Sequence, residues 1–314
     1  MNESQGPPPP PDDLEYRNAP GTRVTYRARQ RTADATAWLQ LALRLPDFLL
    51  SLALVLGSAL LVEAWLGPPA WIATTLWLLS GTLAFHHPTE ELLARYLLRL
   101  HRPLPEERAL LAPVWHEVTA RAGVDGSRYQ LWIEDSDDVN ALAAAGHIVG
   151  VTRYAVENLP RSQLAAVLAH ELGHHTGGHA WASLLSTWYG LPGRAVIRGL
   201  VRLRSMLAGS VPQGPAIAFT ALAVAGAYAA LTATYGIPLL LFALPYLSAA
   251  VGRRAELRAD AQAAVLGFAP MLVQVLHTFA AGEEPADDRS GLLHRLLSSH
   301  PDHRTRLHHL QQYL

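Results

Sequence analysis

The sequence contains no cysteine, which excludes disulfides and any chemistry built on a thiolate. Lysine is missing as well: all 25 basic residues are arginine, set against 26 acidic ones for a net charge of −1. With a balance this even, and no basic block or base-stacking motif, nothing points to nucleic acid. We read the arginine usage, with the abundant alanine, as codon bias of a GC-rich genome. Charge is scarce, at 16% of residues against 50% hydrophobic, yet the mean hydropathy of +0.13 is too low for a chain wholly buried in lipid. A mixture of membrane spans and a water-soluble part is expected. The first 45 residues lack an apolar run. They open with Met1 to Asp13, which contains five consecutive prolines, and continue as a polar, arginine-rich stretch, the composition of a disordered, partly extended tail. The first apolar run begins too far in for a cleaved signal peptide.

Long apolar runs come next. Phe48 to Leu66 is long enough to cross a bilayer as a helix, with its single charge, Glu63, near the end. After Gly67-Pro68-Pro69 a second run, Ala70 to Phe85, is slightly short and carries Trp71 and Trp77. The two read as a membrane hairpin; the alternative is a pair of buried helices in a soluble core. A further run from Ala216 to Val251, broken at Gly236, Pro238 and Pro245, reads as a second hairpin turning near Tyr235-Gly236. Arginines flank the outer ends of both hairpins, and the two short turns within them carry none. By the positive-inside rule both termini and everything between the hairpins face the cytoplasm. Arg194, Arg198, Arg202 and Arg204 recur at helical spacing, as a basic face against anionic headgroups or as a solvated one.

Between the hairpins, Tyr129 to Ile133 reads as a short strand and Val139 to Thr152 as two more, turning near Ala145-Gly146. A small antiparallel sheet here leaves an edge strand to which an extended peptide can add as a further strand. Asn140, Ala141 and Ala143 are expected on that edge.

Pro160 to Gly178 reads as one helix, and it carries His170-Glu171-Leu172-Gly173-His174, an H-E-x-x-H pattern. Histidines four apart on a helix share a face, so both imidazoles can reach one metal ion, with Glu171 beside it. Zinc lowers the pKa of its bound water towards about 7, and a neighbouring carboxylate can accept that proton. A third ligand is required. His179 falls one residue short of the position a metzincin would use, where Ala180 stands. Glu256 from a separate helix supplies it instead, with Asp260, four residues on, orienting a ligand histidine from behind.

These features together resemble the HtpX-type and CAAX-prenyl-endopeptidase-like membrane zinc metalloproteases. The resemblance runs from about Ala53 to the C-terminus. It rests on the first hairpin, Asn140-Ala141, Ala166 to His174, His179, the second hairpin, Glu256 to Asp260, and Ser299-His300-Pro301 followed by Arg306. It implies that His170, His174 and Glu256 bind one Zn²⁺ per chain, that Glu171 is the catalytic base, and that the soluble part is zincin-like. It also implies that Asn140 lies on a substrate-binding strand and that His300 lies near the active site. There His300 would stabilise an oxyanion or cap the final helix with Pro301 at its first position. Four expected spans are too few for the large closed chamber of the prenyl-protein proteases, so HtpX-like proteins are the nearer comparison.

The expected architecture is a mainly α membrane protein, with four transmembrane helices and an α+β zincin-like cytoplasmic metalloprotease domain. Its parts are a tail (1–45), a hairpin (46–87), a catalytic part with sheet and H-E-x-x-H helix (88–212), a second hairpin (213–251), and a second catalytic part (252–314). The expected function is a zinc endopeptidase of a bacterial plasma membrane, acting on polypeptides, chiefly unfolded or damaged membrane proteins, with the lipid bilayer as its other partner. The rivals are a membrane sensor whose protease cleaves one regulator, and a membrane scaffold with a structural metal. Glu171 argues against the scaffold, because a purely structural site needs no general base.

Overall fold

The computed structural model describes residues 12–19, 34–96, 98–136, 141–144, 146–207, 237–282 and 301–314, with six isolated positions between 221 and 233. The chain is mostly helical, with one small sheet.

Part of the expected tail is folded. The Asp34 carboxylate caps helix α1 (Ala35–Leu43), accepting from the Thr36 and Ala37 amides at 2.9 and 3.0 Å. Residues 12–19 lie against the main core: Leu14 is buried in it, and Asp13 accepts from the Ser162 amide at 2.8 Å. Local composition hides this docking because every partner is more than 90 positions away.

The first apolar hairpin is present. Helix α2 (Leu45–Leu66) starts with a proline in its first turn and stops at Gly67, whose φ of 88° is left-handed. Helix α3 (Ala70–Ser80) continues as a 3-10 turn over Gly81–Phe85. Only 11% of the most apolar window of α2 is buried, so a row of leucines and Trp65 is left outward. Helix α4 (His87–Tyr96) follows the hairpin.

The sheet has the order β1-β2-β4-β3, with β1 at Leu100–His101, β2 at Gln130–Glu134, β3 at Ala141–Ala144 and β4 at Ile148–Thr152. It is mixed, which corrects the antiparallel expectation. The β3–β4 hairpin pairs Ala144 with Ile148, as its turn predicts, but β4 inserts between β3 and β2 and runs parallel to β2. All five residues of β4 are buried, and so are Trp132 and Ile133 on opposite faces of β2, the pattern of strands covered on both sides. That placement leaves β3 on the outer edge.

Helix α5 (Pro105–Ala122) packs with the sheet against α7 (Arg161–Thr176), the central helix. Short α6 (Arg153–Asn158) leads into it. Helix α8 (His179–Leu207) carries Gly193, whose amide donates to the buried Ser51 hydroxyl of α2 at 3.1 Å. Phe48, Trp77 and Tyr189 lock the hairpin onto α8, with ring centroids 5.2–5.8 Å apart. Arg194 does not join an outward basic face: its guanidinium returns to the Ser186, Thr187 and Gly190 carbonyls. Pro192, inside this helix, has no amide to donate to the helix ladder.

A 3-10 segment, Ile237–Ala243, leads into α9 (Leu244–Ala263). Then come α10 (Ala269–Gly282) and α11 (His303–Leu310). Asp302 caps α11 by accepting from the Thr305 amide at 2.8 Å, so Pro301 precedes the cap and the expected capping role of His300 is corrected. Among the described residues two stretches are long and apolar enough to cross a membrane, Leu45–Leu66 and the half-buried Leu241–Phe279. The expected turn at Tyr235-Gly236 and most of the run from Ala216 lie outside the described residues.

Candidate metal centre

Helix α7 is built for burial. Between Ser162 and Thr176 nearly every side chain is covered, and Ala165, Ala166, Ala169 and Gly173 keep its surface low enough for other helices to approach. At Gly173 the approach is closest: a Cβ there would lie 2.9 Å from the Cα of Ala259 on α9. The crossing carries Glu256, three residues before Ala259, and Asp260, one after, over the histidines of α7.

His170, His174 and Glu256 thus come together, each offering a donor atom within 4.8 Å of the others. His170 Nε2 lies 3.4 Å from Glu256 Oε2, and His174 Nε2 lies 3.5 Å from Glu256 Oε1. Four ligands held at about 2.0–2.2 Å around one ion are separated by about 3.4 Å, so this spacing fits donors arranged around one tetrahedral metal ion. Asp260, fully buried, accepts from His170 Nδ1–H at 2.8 Å, which orients the ring and aims Nε2 at Glu256. Arg306 of α11 holds Asp260 through two hydrogen bonds of 2.6 and 2.8 Å and lies 3.9 Å from Glu256. Glu171, Glu256 and Asp260 gather three carboxyl groups around the one guanidinium of Arg306.

Protonation within the cluster follows its burial and charge. Burial disfavours an imidazolium at His170, yet the hydrogen bonds to Asp260 and Glu256 overcome it and push the group up to about 10. Burial and the neighbouring His170 push His174 down to about 3. Glu171 is pushed up to about 7 by burial first and by Glu256 second, although His170, an Ala143 backbone hydrogen bond and Arg306 pull the other way.

The remaining expected residues fall as follows. Ala141 and Ala143 lie on β3, and Ala143 lines the cavity in front of Glu171. Asn140 and His300 lie outside the described residues. His179 is engaged elsewhere, with Nε2 2.8 Å from the Thr36 hydroxyl. His175 turns away, with Nε2 3.0 Å from the Ile148 carbonyl oxygen. The charge-bearing role of Arg306 leaves little trace in the sequence, where its one signal is its place shortly after Ser299-His300-Pro301.

The model of peptidase family M48 matches residues 105–314, two thirds of the chain. The chain belongs to peptidase family M48. It is accordingly a metallopeptidase, and the buried His-His-Glu group is where its fold gathers metal donors. The match spans α5 to the C-terminus and leaves α1 to α4 outside it, so the likeness is shorter than the sequence resemblance from about Ala53. No curated protein matches the chain.

Proposed function

We propose that this M48 peptidase is a membrane-anchored zinc endopeptidase, with His170, His174 and Glu256 as ligands and Glu171 as general base. The observation that carries the reading is the position of Glu171: buried beside the three donors, facing a cavity of about 1020 Å³, and joined to the edge strand through the Ala143 backbone. A zinc ion bound there supplies an acidified water and a polarised carbonyl. The chain's own residues do the rest. Glu171 accepts a proton as the peptide bond is attacked and returns it to the leaving amine. Asp260 keeps His170 in the ligating tautomer, and Arg306 keeps Asp260 ionised. An extended polypeptide would lie along the edge strand β3, at Ala141 and Ala143, with Asn140 preceding them in the sequence.

The cavity is also walled by Leu241, Leu244 and Pro245 from the half-buried apolar stretch, and by Leu43 near the start of α2. A catalytic cavity lined by helices of this kind suits membrane-protein segments, which supports a role in membrane protein quality control in a bacterial plasma membrane. Arginine placement supports cytoplasmic termini and a cytoplasmic active site. The test is a proteomic comparison of membranes carrying the wild type or Glu171→Gln. Membrane proteins should accumulate uncleaved in the variant. Identical peptide profiles would reject the reading, and a change confined to one protein would favour the single-regulator alternative.

A further inference from the structure

A second group of metal-type donors lies away from the H-E-x-x-H helix. His87, Glu90 and His147 place three donor atoms within 4.8 Å of one another. His87 and Glu90 are three apart on α4, hence on one face of the helix. His147 comes from the turn between β3 and β4, 57 positions after Glu90. The two imidazole rings lie 5.0 Å apart, tilted by 42°.

Glu90 is the unusual member. It is only 1% exposed, and a buried carboxylate is costly unless its charge is answered. The Gly146 amide donates to its Oε1 at 3.3 Å, and His147 Nδ1 lies 3.2 and 3.3 Å from its two oxygens. The turn has been brought in tightly to make these contacts, since a Cβ on Gly146 would fall 2.9 Å from Glu90 Oε1. A spacing of 3.2–3.3 Å between imidazole nitrogen and carboxylate oxygen is also about what two ligands of one tetrahedral ion show. His87 is exposed and His147 a third exposed, so an ion can arrive from solvent and keep water as its remaining ligand.

We propose that His87, Glu90 and His147 form a second metal site, which takes zinc, and that an ion there fastens the β3–β4 turn to α4. Two imidazoles and one carboxylate are a borderline-soft donor set that suits zinc better than calcium or magnesium. The ion would answer the Glu90 charge. It would also tie α4, which emerges from the apolar hairpin, to the turn that leads out of β3, whose Ala143 contacts Glu171. Zinc at this site would therefore stiffen the strand beside the catalytic base without touching the base.

The test uses the full chain in detergent, stripped by chelator and dialysed against graded zinc, with metal content read by elemental analysis. The wild type should saturate at about two ions per chain, and His87→Ala at about one, because one of three ligands is lost. Glu256→Ala should also retain about one, and that ion should disappear when His87→Ala is added. Saturation of the wild type at a single ion, or of His87→Ala at two, would overturn the second site. Hydrogen exchange gives an independent readout: amides at 146–150 should slow when zinc is added to the wild type and not to His87→Ala, which alters an exposed side chain and leaves the core intact. Exchange that ignores zinc in the wild type would overturn the fastening role.

Discussion

Gly173 and Ala259 are in backbone-to-backbone approach, with no room for a side chain at position 173, and this crossing of α7 and α9 sets the third metal donor opposite the first two. The x-x of the H-E-x-x-H pattern is therefore not neutral in this chain. Gly173→Ala forces the helices apart or strains them, at about 1–3 kcal/mol for an overpacked site. We expect a lowered melting temperature together with reduced zinc content, measured on the same preparation. A variant with full zinc and an unchanged melting temperature would show that the crossing tolerates a Cβ.

Asp260→Asn keeps the shape of the side chain and removes the charge that holds both His170 Nδ1–H and Arg306. Loss of such a supporting partner typically costs about 10- to 100-fold in metal affinity. Competition with a zinc chelator should show that loss while the protein remains folded. Equal affinities in the two proteins would remove Asp260 from the site.

The chemistry of α7 was legible because H-E-x-x-H encodes its geometry in spacing alone. Glu256 and Asp260 were legible for the same reason, as two acids one helical turn apart on a later helix. Other features depend on distant partners. The parallel pairing of β2 with β4 needs the knowledge that β4 inserts between β2 and β3, which alternation within each strand does not carry. Residues 12–19 look like spacer because their anchors, Glu117 and Ser162, are far along the chain. Arg194 reads as part of an outward basic face, towards headgroups or solvent, because its real acceptors are carbonyls of its own helix.

The same N-terminal anchor gives a pH prediction. The Glu117 carboxylate accepts from the Arg17 and Asn18 amides at 3.0 and 3.2 Å and pairs with Arg121 at 2.8 Å. Burial raises its pKa, but these hydrogen bonds and the Arg121 charge outweigh that, leaving it below its ordinary value of 4.5. A carboxylate held lower in the folded state than in the unfolded one stabilises fully above the unfolded value and loses that contribution as pH falls through the folded one. Glu117→Gln should cost about 3 kcal/mol at neutral pH, since Arg121 loses its buried partner. The gap in melting temperature between wild type and variant should close progressively below pH 4.5. A gap that stays constant down to the most acid pH would exclude charge as its source.

Topology has its own check. A reporter fused after Leu314 should be active in the cytoplasm if arginine placement orients the chain. Activity only on the outer side would refute the orientation and move the metal centre with it.

The central claim is that Glu171 carries the proton and does not bind the metal. The direct measurement is zinc content and peptide cleavage of Glu171→Gln beside the wild type, in the same detergent and at the same zinc concentration. Glutamine keeps the size and hydrogen bonding of the side chain, so zinc content should match the wild type while turnover falls by about 100- to 10,000-fold, the usual worth of general acid-base assistance. A variant that holds zinc and cleaves at the wild-type rate would contradict the account.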